Sequence, residues 1–182
     1  MSPSTSHLVA AVITLATGAL MAAGVPLDAP AAGEQGAATS AREIHVAVIV
    51  NLLNPVNDLT LKELRSIVTI QRTQWPNGRR ITVALHEPGY PEREAVLRHV
   101  YGMKEAAFTR YFLHATFTGQ IPNGPRQLAT SEGLRRFVVN VPGAVGFIRL
   151  IDVDPSVKTV RINGQAAGTP GYSLSVSTDL GP

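Results

Sequence analysis

The sequence predicts an α/β domain, a single three-layer unit in which a mixed β-sheet is flanked by helices. Three observations lead there. β-branched runs of strand length recur along the chain, segments with helical apolar spacing lie between them, and no internal repeat points to a solenoid. The chain has 182 residues, 45% hydrophobic and 16% charged, which fits one globular domain with core enough to fold unaided.

The first strand is Ile44-His45-Val46-Ala47-Val48-Ile49-Val50, apolar on both faces and so expected to be covered on both sides. Asn51 to Pro55 forms a turn-rich exit. A helix follows over Leu59 to Val68. Thr60 and Glu63 have capping-box spacing, and Leu61, Leu64, Ile67 and Val68 fall on one face. Trp75-Pro76-Asn77-Gly78 is a tight turn before a second strand, Ile81 to Leu85.

The loop His86-Glu87-Pro88-Gly89-Tyr90 leads into a helix opened by Pro91, whose missing N–H is harmless in a first turn. Glu92 and Glu94 at its start, and Arg98 and His99 at its end, suit the helix dipole, and Gly102 stops it. Lys104 to Phe117 is the next helix, with Phe108, Tyr111, Phe112 and Ala115 as its core stripe. After a polar loop, Thr118 to Pro125, a helix spans Ser131 to Asn140, started by Ser131 and ended by Val141-Pro142-Gly143. Val145 to Ile151 and Lys158 to Ile162 are strands, with Asn163-Gly164 as a turn.

Ahead of this domain, Leu8 to Val25 is an uncharged apolar run, followed by an Ala/Pro/Gly-rich stretch without a basic cluster. It reads as a signal peptide, with Ala29-Pro30-Ala31 or Ala22-Ala23-Gly24 as cleavage sites, or as an uncleaved N-terminal anchor. Each reading exports the folded part. The divisions are therefore a leader over 1–32, a linker over 33–42 and the α/β domain over 43–182.

Cysteine is absent, which removes a disulfide framework, a thiolate metal site and a cysteine nucleophile together. The charge is +3, from 16 basic and 13 acidic residues, with Asp28 the single charge of the leader. The basic doublets Arg79-Arg80 and Arg135-Arg136 are too short for a nucleic-acid tail, so no nucleic-acid partner is expected. No P-loop, G-x-S-x-G, H-E-x-x-H or dinucleotide fingerprint occurs, and the histidines are scattered. Asp152 and Asp154 read as turn residues before Pro155. No cofactor or metal is called for, and catalysis is not the expected role.

The order of the pieces carries more than any one residue. Val50-Asn51-Leu52-Leu53-Asn54-Pro55-Val56 leads to Leu59-Thr60-Leu61-Lys62-Glu63-Leu64, then to Trp75 in its turn. Pro142-Gly143-Ala144-Val145-Gly146-Phe147 and Gly171-Tyr172-Ser173-Leu174 come last. This series resembles the substrate-binding proteins of phosphate ABC transporters, a type 2 periplasmic binding protein fold. The P-G-A-V-G-F segment is similar to that family's P-G-A-I-G-Y element, and the helix from Leu59 to its L-s-x-x-E-L helix. The resemblance covers about residues 44–175 and implies one lobe of a two-lobed fold.

The same resemblance implies an exported binding domain, with phosphate or another small anion as ligand, or a role accessory to phosphate uptake. An ABC permease, a second protein lobe or a second copy of the chain would be its partners, with membrane contact only through an uncleaved leader. Where the family places R-x-x-x-S-G-T, this chain has His86-Glu87-Pro88-Gly89-Tyr90-Pro91-Glu92. His86, Gly89 and Tyr90 are thus the candidate ligand-binding residues. The hydroxyls are missing, and Glu87 and Glu92 bring negative charge that opposes a dianion. The alternative reading is a protein–protein interaction module that kept the fold but lost solute binding.

Overall fold

The computed structural model describes residues 42–178. The leader, its cleavage sites and most of the linker lie outside the described residues. Seven strands and four α-helices are described, in the order β1 (Arg42–Val50), β2 (Asp58–Leu59), α1 (Leu61–Val68), β3 (Thr82–His86), α2 (Pro91–Val96), α3 (Glu105–Phe117), β4 (Arg126–Leu128), α4 (Ser131–Asn140), β5 (Ala144–Arg149), β6 (Lys158–Ile162) and β7 (Ser175–Thr178). The sheet runs β2-β6-β1-β5-β3-β4, with β7 pairing the first residues of β1. β1 is antiparallel to β5, β6 and β7, whereas β3 is parallel to both β4 and β5. The sheet is therefore mixed, as the alternation of strand and helix signals predicts.

β1 is the central strand, and its apolar run Val46–Val50 is explained by cover on both faces. Val46, Val48 and Val50 point into one core with Leu64, Ile67, Val96, Phe108 and Phe112 from α1, α2 and α3. Ala47 and Ile49 point the other way, against Leu134 and Val138 of α4. The side-chain alternation of a strand thus divides one hydrophobic run between two cores.

Local chemistry sets the helix ends. Thr60 Oγ1 accepts from Glu63 N–H at 3.1 Å while the Glu63 carboxylate accepts from Thr60 N–H at 2.8 Å, the reciprocal box seen in the sequence. Two helix starts differ from expectation. Leu59 belongs to β2, and α4 is capped by Thr130, whose hydroxyl accepts from Gly133 N–H, while the Ser131 hydroxyl bonds Asp152. The helix opened by Pro91 widens into a π-helical turn over Leu97–Tyr101 and stops at left-handed Gly102, φ 67°. Arg65 Nε donates to Val100 O at 2.7 Å, tying that turn to α1. After β5 the chain tightens into a 3-10 turn over Leu150–Asp152 rather than extending the strand to Ile151.

The Trp75 turn locks onto the sheet. Gly78 N–H bonds Trp75 O at 2.9 Å, and the buried indole Nε1 donates to Gly143 O at 3.0 Å. Asn163 and Gly164 both have positive φ, 51° and 77°, the pattern of a two-residue hairpin turn favoured by Asn-Gly.

Candidate functional site

Because β3, β4 and β5 are parallel, their carboxyl ends share one edge, at His86, Leu128 and Arg149. The loops leaving them turn immediately into α2, α4 and the 3-10 turn. In open α/β sheets this edge is where ligands sit. Here it carries a pocket of about 340 Å³, lined among others by His86, Tyr90, Glu92, Ser131, Arg149 and Asp152.

His86 ends β3 and is 2% exposed, with its ring stacked on Tyr90 at 4.8 Å between centroids. Among the described residues neither ring nitrogen makes a well-formed side-chain hydrogen bond, though the Leu128 backbone lies close enough to act on the imidazole. Burial lowers the His86 pKa below its usual value, against the opposing pull of Glu92. The imidazole is therefore neutral at physiological pH.

Glu92, in the first turn of α2, is 3% exposed. Its Oε1 is 3.0 Å from Arg149 Nε, and its Oε2 has no partner. The same Arg149 Nε lies 3.0 Å from Asp152 Oδ2, which also accepts from Ser131 Oγ at 2.7 Å. Burial alone would raise the Asp152 pKa. Hydrogen bonds from Ser131 and Arg149, with the charges of Arg149 and Arg135, instead hold it below the ordinary carboxylate range. Arg149 therefore sits between two carboxylates, and the lining carries one more negative than positive charge.

Of the residues singled out in the sequence, His86 and Tyr90 are brought together here as a stacked pair. Gly89, at φ 96°, shapes the turn and faces a second pocket of about 650 Å³ beside the π-helical turn. In that second pocket both carboxylates are paired, and exposed Lys104 is the remaining cation. Buried Arg93 makes two bonds to Glu105, at 2.8 and 2.7 Å, and one to His86 O, while Arg98 pairs with Glu94.

Sequence reasoning did not assemble Glu92, Arg149, Asp152 and Ser131 into one cluster. Asp154 is a turn residue, as the sequence predicts, accepting from Ser156 N–H at 2.9 Å, but Asp152 faces the site. A sequence signal was present in part: Glu92 stands in the loop-helix segment that the resemblance singles out.

A helix-flanked sheet with a pocket at the carboxyl edge of its parallel strands is the architecture of an α/β lobe of the solute-binding type. No protein-family model matches the chain, and no curated protein matches it by sequence. Solved structures do match. A phosphate ABC transporter substrate-binding protein from Clostridium perfringens, solved with bound phosphate, is 26% identical with a TM-score of 0.60, over 73% of this chain and 53% of that one. An ABC-type phosphate transport receptor from Vibrio cholerae is 20% identical, TM-score 0.58, over 76% and 59%. A phosphate-binding protein from Stenotrophomonas maltophilia is 15% identical, TM-score 0.52, over 70% and 41%. The chain thus has the fold of a phosphate ABC transporter substrate-binding protein shortened to about one lobe, and it spans about half the length of the structures it matches.

Proposed function

We propose that the protein is an exported solute-recognition lobe, accessory to an ABC uptake system, that completes its cleft with a second lobe or a second copy and does not itself hold phosphate tightly. The fold and its neighbours, which are binding proteins rather than enzymes, support the first part. One observation carries the last part: Arg149, the cation of the pocket, is already engaged by Glu92 and Asp152. Two unit charges about 4 Å apart at a protein surface interact by roughly 4 kcal/mol. A phosphate dianion would meet that repulsion from two carboxylates, with the attraction of one guanidinium to set against it.

The test is a series of thermal melts of the full chain with millimolar phosphate or sulfate against matched neutral salt. The expected result is no shift beyond that of the salt. A phosphate-specific rise of several degrees that survives added salt would overturn the exclusion of phosphate.

A second reading is favoured by α3. Leu113 and Phe117 stand one helical turn apart, 69% and 90% exposed, on the face away from the core. If the chain is an interaction module, sedimentation shows a concentration-dependent complex that Phe117→Ser abolishes. A monomer across the concentration series counts against that reading.

A further inference from the structure

We infer that the pocket at the carboxyl edge of β3, β4 and β5 takes a small organic cation bearing N–H donors, such as a guanidinium or a primary amine. This rests on the reading of that edge as a solute site and names the class of solute. Buried polar atoms in folded proteins are nearly always hydrogen-bonded. Here, among the described residues, Glu92 Oε2 is buried without a partner, and the His86 ring makes no well-formed hydrogen bond and has only the Leu128 backbone acting on it, on side chains 3% and 2% exposed that line one pocket. The two side chains line the same pocket, and the charge of Glu92 acts on the imidazole.

Each unpartnered atom specifies the kind of partner it lacks. A carboxylate oxygen takes only a donor, and a neutral imidazole offers one acceptor and one donor. A ligand with two or more N–H groups answers Glu92 Oε2 and the His86 acceptor together. The charges agree. Within the lining Glu92 and Asp152 outnumber Arg149, and nearby Arg135, which also acts on Asp152, is paired with Asp154, so the balance of charge favours a cation over an anion. Tyr90 adds an aromatic face suited to a planar or alkylammonium cation. It stacks on the imidazole and is itself 38% exposed, so its ring forms an accessible wall of the pocket beside His86. The volume of about 340 Å³ lies at the small end of ligand pockets, which fits a ligand of few heavy atoms.

The larger pocket beside the π-helical turn offers no such demand, because both of its carboxylates are paired, with Arg93 and Arg98, and its remaining cation, Lys104, is exposed.

The experiment uses the full chain, with methylguanidinium, putrescine, tetramethylammonium and phosphate compared at equal ionic strength by thermal melting and isothermal titration calorimetry. Methylguanidinium or putrescine is expected to raise the melting temperature by several degrees at saturation, and tetramethylammonium, which has no N–H, is not. Glu92→Gln is expected to weaken that binding at least tenfold. Should this variant fail to fold, the His86 ring nitrogens followed by NMR in the unaltered protein serve instead, and they are expected to shift on addition of methylguanidinium. Unmoved His86 signals, or equal binding of tetramethylammonium, overturn the inference. A response to phosphate alone overturns the cation class and leaves the solute site standing. No response to any of the four solutes overturns the solute-site reading itself.

Discussion

Replacing Gly143 with alanine tests whether the P-G-A-V-G-F segment owes its glycine to a close approach of two chains. A Cβ at Gly143 would lie 2.0 Å from the carbonyl oxygen of Arg80, where real Cβ contacts essentially never fall below 3.0 Å. One of the two backbones must therefore retreat by about 1 Å. That motion acts on two hydrogen bonds to Gly143 O, from Thr82 N–H at 3.1 Å and from the Trp75 indole at 3.0 Å. Each is worth about 1 kcal/mol. Overpacking in a close-packed region adds roughly 1–3 kcal/mol. The expected loss is therefore about 3–5 kcal/mol, a large share of the 5–15 kcal/mol typical of a domain. At roughly 3 °C per kcal/mol for a domain of this size, the melting temperature should fall by about 10–15 °C. Circular dichroism melts of the full chain measure it, with Gly124→Ala as control. At that position the new Cβ meets the Phe112 side chain at an ordinary 3.6 Å, so the control should stay within about 1 kcal/mol of the original. A Gly143→Ala protein melting within 2–3 °C of the unsubstituted chain, roughly 1 kcal/mol, would refute the close-approach argument.

Two further substitutions probe the supports of the site and of the core. Glu105→Gln should cost about 1–2 kcal/mol at neutral pH. It weakens the two-pronged bond to buried Arg93, and the 42% exposure of Glu105 keeps the loss below that of a fully buried pair. The bond from Arg93 holds the Glu105 carboxyl below its usual 4.5. Its stabilisation is therefore complete above pH 4.5 and is lost as pH falls through the depressed value. Urea unfolding should show the gap between the two proteins narrowing as pH falls below 4.5, and a gap of constant size would disprove the assignment. Tyr172→Phe removes a buried hydroxyl that donates to Val46 O at 2.9 Å. It should destabilise by about 1–2 kcal/mol in the same assay, and a neutral result would mean that Val46 O finds another donor.

The elements that were legible in the sequence are those whose determinants lie within a few residues. The capping box of Thr60 and Glu63, the Trp75–Gly78 turn, the Asn163-Gly164 turn and the stop at Gly102 are local contests between backbone conformations, settled by side chains close by. The two-faced burial of β1 was legible for the same reason, since alternation is a property of the strand itself. Resemblance to a binding-protein lobe was carried by the order of such pieces along the chain.

Only the tertiary structure decided the rest. β2 and β4 have two and three residues, too few to show a period, and exist because β6 and β3 offer them edges. Which of two adjacent hydroxyls caps α4 was settled by Asp152, which draws Ser131 away and leaves the cap to Thr130. The charge cluster of the pocket has the same origin. Glu92, Ser131 and Arg149 begin or end separate elements, and they meet only because β3, β4 and β5 run parallel and bring their carboxyl ends to one edge. Local sequence fixes where strands and helices begin. Which side chains then face one another depends on strand order, set by burying apolar faces far apart along the chain.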